Sequence, residues 1–306
     1  MKNISNENII FKDKKVLLRV DLNVPMKNGS ITESSRIEKI LPTIKMLLEK
    51  ETKIIILSHI GRPKGKFVKG MSLEPISEKL SSLLNKDILF YKNIINDNTL
   101  SEVNKIQNGS IMMLENIRFN PGEESNDSEF SKKLSNLGDI YINDAFSCSH
   151  RKQTSIHKIT KYIKNSYAGP LFMKEIFSIN MVLDGQQSPT TCIIGGSKIS
   201  TKLGVITSLI EKIDNLIIVG AMANNFIKFK GNKVGKSLVE PHSEKTVEEI
   251  INKAENNNCK IIIPSDFAVS DSTKGVAKLK NLQNVEDNEM ILDIGPKTIN
   301  EIYKII

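Results

Sequence analysis

The chain has 306 residues, 39% of them hydrophobic and 25% charged, which is enough for about two domains of ordinary globular composition. No apolar run approaches the ~18 residues of a membrane span and the N-terminal segment has no signal-peptide core, so we expect a cytoplasmic protein. The net charge of +8 comes from lysines dispersed along the chain, which indicates a solvated basic surface and not a dense nucleic-acid-binding block.

The first half of the chain alternates short apolar runs with turn-rich segments and helical patterns. The runs that predict strands are KKVLLRV, KIIILS, SIMMLE and DIYIND. Uninterrupted apolar runs of this kind are typical of strands that are buried on both faces, as in a parallel sheet. Residues 34–50 and 73–84 have helical spacing, which makes βαβ units the simplest interpretation.

The second half repeats this alternation, with strands predicted in TTCIIGG, NLIIVG, KIIIPSD and MILDIGPK. Between the halves, Pro170 precedes an apolar helical pattern that would join two lobes. We therefore predict an α/β protein with two Rossmann-like parallel-sheet lobes, a hinge helix and a cleft between the lobes. The predicted domains are residues 1–171, the joining helix 172–184 and residues 185–306. Residues 67–71 and 271–288 are predicted to be surface loops or irregular connections.

Arginine is used sparingly: only five of the 43 basic residues are arginine, and all five lie in the first half. Lysine cannot replace a planar guanidinium where two parallel hydrogen bonds to a carboxylate or phosphate are needed. Ligands of open parallel sheets bind beyond the carboxyl ends of the strands. Arg62, Arg118 and Arg151 each follow a predicted strand, and Arg36 opens the first helix. Arg19 lies inside the first strand, where a structural ion pair is the alternative interpretation.

This pattern predicts a site for a small ligand with phosphate at one end and carboxylate at the other. The candidate contacts are Asp21, Asn23, Arg36, His59, Arg62, Arg118 and Arg151. Each arginine taken singly could instead be a salt bridge that pins a loop.

A second candidate site follows the first strand of the second half, in the segment GGSKISTK. Paired glycines let backbone amides approach a phosphate, and a following helix N-terminus attracts anions. The two lysines, four residues apart, could both reach a nucleotide phosphate, although the spacing is not that of a Walker A loop. The glycines could also only shape a tight turn. The candidate nucleotide contacts are Gly195, Gly196, Lys198, Lys202 and Gly295.

The other reactive residues do not form a recognisable site. The histidines lack metal-ligand spacing, and the cysteines, scattered without a close pair, predict neither a disulfide framework nor zinc. No metal site built from protein ligands is predicted. Asp144 and Asp266 at predicted strand ends are candidates for function, with helix capping as the alternative.

Ten collinear segments resemble the motifs of phosphoglycerate kinases. Those in the first half are RVDLNVP, SSRIEKILPTI, LSHIGRPKG, LENIRFNPGEE and NDAFSCSHRKQTSI, and those in the second are GGSKISTKL, AMANNF, GNKVGKSL, IPSDFAV and DIGPKTI. The resemblance covers nearly the whole chain. It implies a monomeric glycolytic kinase that transfers a phosphoryl group reversibly between 1,3-bisphosphoglycerate with MgADP and 3-phosphoglycerate with MgATP.

The resemblance also implies a role for each candidate residue. The seven candidate ligand contacts would hold the phosphoglycerate, and Lys198 and Lys202 would lie at the nucleotide phosphates. Arg36 would be the cation at the transferred group, with Lys198 assisting from the opposite lobe. The attacking carboxylate is already ionised at neutral pH, so no general base is required. Closure of the lobes would exclude water.

The resemblance is incomplete at the C-terminal end. The family usually continues through a Gly-Pro-x-Gly-x-Phe-Glu segment and a Gly-Gly-Gly-Asp-Thr loop, whose aspartate is the family's magnesium-site residue, and neither occurs here. We therefore expect a truncated second lobe, with Mg²⁺ arriving on ATP or ADP. One alternative is a catalytically impaired homologue that only binds 3-phosphoglycerate. A nucleic-acid-binding module, suggested by net charge alone, is another.

Overall fold

The structure is a computed structural model that describes residues 2–4, 8–27, 29–184 and 188–306. The chain divides into two compact units, and the boundary lies between Phe177 and Ser178. The predicted start of the second domain, at residue 185, lies outside the described residues. In the described ranges, no helix combines the length and apolar character that crossing a membrane requires.

The described part of the first unit contains eight strands, five complete helices and the first part of a sixth. The strands are β1 Lys15–Arg19, β2 Met26–Lys27, β3 Ser30–Ile31, β4 Lys53–Leu57, β5 Ile88–Tyr91, β6 Ile111–Leu114, β7 Ile140–Asn143 and β8 Ser166–Ala168. The helices are α1 Ser35–Glu49, α2 Glu74–Leu84, α3 Asp97–Lys105, α4 Pro121–Glu124, α5 Ser128–Ser135 and α6 Pro170–Leu183, the last of which continues into the second unit.

Six of these strands form one parallel sheet in the order β5-β6-β4-β1-β7-β8. Alternate residues of β1 enter different cores: Leu18 packs with Ile56 on one face, and Leu17 packs with Ile55 on the other. The predicted parallel sheet buried on both faces is therefore confirmed in this unit. The outer strands β5 and β8 were not predicted. β8 is short and mixes polar with apolar residues, whereas β5 is the apolar run ILFY, which has the same pattern as the predicted strands.

The second unit contains two small sheets. Its strands are β9 Thr191–Gly195, β10 Asn215–Val219, β11 Lys260–Ile262, β12 Asp266–Ser270, β13 Lys278–Asn281 and β14 Met290–Ile294, and its helices are α7 Leu203–Ile210, α8 Ala221–Phe229, α9 Glu244–Asn256 and α10 Pro296–Tyr303. One sheet is parallel, in the order β11-β10-β9, and the other is antiparallel, in the order β13-β12-β14.

The prediction of an all-parallel second lobe is wrong for its last strands. β11 ends at Ile262, and Pro264, which has no amide hydrogen for a sheet ladder, separates it from β12. The segment FAVS, for which the sequence analysis predicts no strand, forms most of β12. Residues 271–288, predicted to be irregular, include β13, which pairs antiparallel with β12.

Two aspartates at strand ends serve the helices that follow them. The Asp144 carboxylate accepts hydrogen bonds from the Phe172 amide at 2.8 Å and from the Thr43 hydroxyl at 2.6 Å, so it caps α6 and ties it to α1. Asp266 accepts hydrogen bonds from the amides of Lys297 at 2.9 Å and Thr298 at 2.7 Å at the start of α10. These contacts support the capping interpretation for both residues.

Replacing Gly235 with alanine is expected to destabilise the second unit more than the same change at Gly231. Both glycines have positive φ, 54° and 80° respectively. A Cβ at Gly235 would overlap the carbonyl oxygens of Glu286 and Glu289, whereas a Cβ at Gly231 would meet no atom within 4 Å. We expect Gly235→Ala to lower the free energy of unfolding by about 3 kcal/mol or more, and Gly231→Ala by about 1 kcal/mol. Urea denaturation measures both values; equal losses would contradict crowding at Gly235.

Candidate functional site

The carboxyl edge of the first sheet gathers polar side chains from separate segments. The segments after β1, β4, β6 and β7 all leave the sheet at this edge, because parallel strands share one direction. The predicted ligand contacts that they supply are Asp21, Asn23, His59, Arg62, Arg118 and Arg151. Arg36 comes from the first turn of α1.

Asp21 joins α1 to this edge. Its Oδ2 accepts a hydrogen bond from Arg36 Nη1 at 2.5 Å and another from the Ser147 hydroxyl, while its Oδ1 accepts one from the Asn23 amide at 3.1 Å. The Arg36 side chain is 46% exposed. One end of its guanidinium is therefore anchored, and the remaining donors can reach an anion.

Gly61 connects Asn23 to Arg118. Its amide donates to Asn23 Oδ1 at 3.0 Å, and its carbonyl accepts from Arg118 Nη1 at 2.7 Å. With φ at 62°, Gly61 has a conformation that side-chain-bearing residues rarely adopt. This turn holds the segment after β4 against the segment after β6.

Arg118 and Arg151 each have a buried donor without an acceptor. Among the described residues, Nε of both arginines makes no hydrogen bond. Nε of Arg118 lies 3.7 Å from the nearest carboxylate oxygen of Glu124, an ion pair too long for a hydrogen bond. Burial lowers the pKa of Arg118, and the charge of Arg151 lowers it further. Buried donors of this kind are satisfied in most proteins, so these two indicate a place for an anion.

His59 is neutral in this setting. Burial lowers its pKa from 6.5 to about 2, and the charges of Arg19, Arg118, Arg151 and Arg36 act in the same direction. Its Nδ1 lies 3.0 Å from Nη2 of Arg19, which is fully buried in β1. No carboxylate of the described residues lies within 4.0 Å of Arg19, so a direct ion pair is not seen, although its charge acts on Glu123 through Ser155.

Arg62 differs from the other candidates. Its side chain is exposed and has no hydrogen bond or ion pair within the described ranges, although it directly follows Gly61. Its role at the ligand stays a prediction.

The Gly-Gly segment lies at the carboxyl end of β9. The Gly196 carbonyl accepts a hydrogen bond from the Met222 amide at 2.7 Å, and a Cβ on Gly196 would lie 3.2 Å from Lys202 Cε. Within the described part of the chain, neither the Lys198 nor the Lys202 ammonium has a partner. These two lysines are free to bind phosphate next to an open backbone.

Gly295 occupies a different place. It precedes α10, where an added Cβ would overlap the Asp266 carboxylate, so close packing on a helix cap explains its small size. Among the described residues no hydrogen bond joins Gly295 to Gly195 or Gly196, and its nucleotide role stays a prediction. A cavity of about 950 Å³ in this unit is lined mainly by residues 279–288 and by none of the predicted nucleotide contacts.

Three further side chains contact the candidate sites, although the sequence pattern does not single them out. Ser147 and Gln153 flank Arg151 and contact Asp21 and Arg118 respectively, the latter at 3.5 Å. The Glu240 carboxylate accepts a hydrogen bond from the Ser200 amide at 3.1 Å. The two residues are forty positions apart in the sequence, so no local pattern indicates the contact. Among the described residues, no group of three or more His, Cys, Asp or Glu side chains could hold a metal ion.

The neutral His59 is expected to make stability depend on pH. Below about pH 6.5 the unfolded chain takes up a proton at His59 that the folded chain, with its pKa near 2, does not, so stability falls as pH falls through this window. Between pH 7 and pH 5, the wild type should lose about 2 kcal/mol more unfolding free energy than His59→Gln. Urea titrations of both proteins at the two pH values measure this difference. Equal losses would show that His59 titrates normally in the folded protein.

Comparison with known proteins identifies the family. Residues 6–306 match the sequence profile of the family described as phosphoglycerate kinase. A phosphoglycerate kinase from Wolbachia pipientis subsp. Culex pipiens is 44% identical over 305 residues, which cover 99% of this chain and 76% of that protein. One from Orientia tsutsugamushi is 42% identical over 301 residues, with 97% and 74% covered.

Solved structures agree with these relatives. The phosphoglycerate kinase from Coxiella burnetii superimposes with a TM-score of 0.79 at 39% identity, covering 99% of this chain and 76% of that one. The enzyme from Pyrococcus horikoshii OT3 superimposes with a TM-score of 0.83 at 28% identity, covering 100% and 78%. The sequence profile, the relatives and the fold point the same way: this chain belongs to the phosphoglycerate kinase family.

Proposed function

We propose that this chain catalyses reversible phosphoryl transfer between 1,3-bisphosphoglycerate with MgADP and 3-phosphoglycerate with MgATP. Its family membership supports the reaction. The observation that carries the substrate assignment is the pair of buried Nε donors on Arg118 and Arg151, which have no partner within the described ranges, beside Arg36 and His59. We also propose, from the family resemblance alone, that the enzyme acts as a monomer in the cytoplasm.

The cluster formed by Arg36, His59, Arg118 and Arg151 suits a small ligand with two anionic groups. Arg118 and Arg151 offer partly desolvated guanidinium donors, which make stronger hydrogen bonds to phosphate or carboxylate than neutral groups do. Asp21 and Asn23 offer oxygen acceptors at the same edge, which suit the hydroxyl of a glycerate. The cluster therefore matches all three functional groups of 3-phosphoglycerate.

The chemical step needs little covalent help from the protein. In the direction of ATP consumption, a carboxylate oxygen of 3-phosphoglycerate bonds to the γ-phosphorus, the bond from that phosphorus to the β,γ-bridging oxygen breaks, and ADP leaves. The carboxylate is already ionised, so no proton is removed. Catalysis then depends on in-line positioning and on cations around the transferred group.

Arg36 and Lys198 are the residues that we assign to this electrostatic role. Arg36 is held at one end by Asp21 and keeps its other donors exposed, which suits a group that must reach the transferred phosphoryl. Among the described residues, the ammonium groups of Lys198 and Lys202 have no partner, and Lys202 lies close to Gly196, which suits nucleotide phosphates. Magnesium enters as part of the nucleotide substrate and lowers the charge of its phosphates.

The assignment is tested by combining turnover with binding. A coupled assay should detect ATP formation from 1,3-bisphosphoglycerate and MgADP, and calorimetry should detect binding of both 3-phosphoglycerate and MgADP. Folded protein that binds 3-phosphoglycerate but shows no turnover would reject catalysis by this chain. Folded protein that binds neither ligand would reject the site itself.

Arg36→Lys is expected to lower kcat about 100-fold or more while raising the KM for 3-phosphoglycerate only a few-fold. Lysine retains the charge but loses the planar fork that can hold Asp21 and a phosphoryl oxygen together, and one removed transition-state donor costs about this much. The matched comparison is Arg62→Lys, which should act on KM more than on kcat. Steady-state kinetics separates the two effects, and equal losses of kcat and binding in Arg36→Lys would mean that Arg36 only holds substrate.

A further inference from the structure

Arg19 is a fully buried arginine whose hydrogen-bond partners in the described part of the chain are all neutral. Its Nε donates to the Ser155 hydroxyl at 3.0 Å, its Nη1 donates to the Val20 carbonyl, and its Nη2 lies 3.0 Å from His59 Nδ1. Ser155 in turn donates to Glu123 Oε1 at 2.6 Å, and both of these side chains are fully buried. The nearest acid in this network is therefore reached only through a hydroxyl.

The contact with His59 has one chemical interpretation. Arginine has donors and no acceptor, and it keeps its proton in proteins. Nδ1 of His59 must therefore accept the hydrogen bond, and in a neutral imidazole the proton must then lie on Nε2. Nε2 has no partner among the described residues, so its N–H remains available to a ligand.

We propose that Arg19 is a positioning residue that fixes His59 in the Nε2–H tautomer, so that His59 donates a neutral hydrogen bond to an anionic oxygen of the phosphoglycerate. This inference rests on the proposed function for the identity of the ligand. It adds to the seven predicted contacts a residue that touches no ligand and acts through His59.

A neutral donor is useful at this edge of the sheet. Arg19, Arg118, Arg151 and Arg36 already surround His59 with positive charge. A fifth cation would repel the others in the unliganded protein, whereas an Nε2–H donor binds an anion without that repulsion. Among the described residues no carboxylate lies within 4.0 Å of Arg19, and Glu123 interacts with its charge only at longer range, through Ser155.

The tautomer can be observed directly by NMR. In protein labelled with ¹⁵N-histidine, long-range ¹H–¹⁵N spectra should show His59 with a pyridine-like Nδ1 and a pyrrole-like Nε2, unchanged from about pH 5 to 8. The His59→Gln spectrum assigns the resonances among the four histidines. A His59 that carries its proton on Nδ1, or that is charged in this range, would overturn the proposal without any Arg19 variant.

Arg19→Met tests the link to binding, since methionine keeps an unbranched side chain without donors. We expect the two His59 nitrogen resonances to move toward each other and the Kd of 3-phosphoglycerate to rise about 10-fold or more, as for a lost hydrogen bond to a charged group. The control Ser155→Ala removes another partner of Arg19 and should leave the His59 spectrum unchanged. An unchanged spectrum in folded Arg19→Met would overturn the proposal.

If Arg19→Met does not fold, two substitutions of His59 test the same hydrogen bond to the ligand. Glutamine places an amide donor near the position of Nε2, whereas asparagine places its amide near Nδ1 and leaves no donor for the ligand. His59→Asn should therefore weaken 3-phosphoglycerate binding about 10-fold, and His59→Gln clearly less. Equal affinities would contradict donation from Nε2.

These measurements separate the inference from the proposed function. The spectra need neither nucleotide nor turnover. The predicted tautomer in a protein that does not bind 3-phosphoglycerate would reject the proposed ligand and with it the positioning role. Normal turnover with the other tautomer would reject only the role of Arg19.

Discussion

Mutual repulsion of guanidinium groups is the constraint on which the first unit depends. Arg36, Arg118 and Arg151 meet at one edge of a parallel sheet, with Arg19 beneath them, and each of them lowers the pKa of His59. The protein holds these cations mostly with neutral acceptors, such as the carbonyls of Val20 and Gly61, while Asp21 bonds Arg36 directly and Glu124 lies 3.7 Å from Arg118. Because few acids are used, the charge of the cluster remains available to an anionic ligand.

The same edge shows how a parallel sheet turns separate loops into one surface. Asn23, Gly61 and Arg118 lie on three different segments, and their hydrogen bonds are satisfied between the segments instead of within them. Asp144 performs a related task by linking Thr43 of α1 to the first turn of α6. The helix that carries Arg36 is thus tied to the strand ends by Asp21 at its start and by Asp144 further along.

The second unit uses its charged groups differently. In the described part of the chain, the ammonium groups of Lys198 and Lys202 have no partner. Asp266, in contrast, caps α10 and packs against Gly295. Gly295 follows β14 of the antiparallel sheet that contains Asp266, whereas Gly195 ends β9 of the parallel sheet. For this reason Gly295 has a structural explanation of its own, and the Gly-Gly segment is the better candidate for phosphate.

The sequence by itself determined the central strands, the helices α1 and α2, and the arginines beyond strand ends, because apolar runs and residue choice are local properties of the chain. The tertiary structure alone decided the antiparallel pairing of β12 to β14 and the partners of individual side chains. Arg19 donates a hydrogen bond to Ser155, 136 positions away in the sequence, and Glu240 accepts one from Ser200, forty positions away. Such pairings depend on which distant segments come together in the fold, and the local periodicity of the sequence does not contain this information.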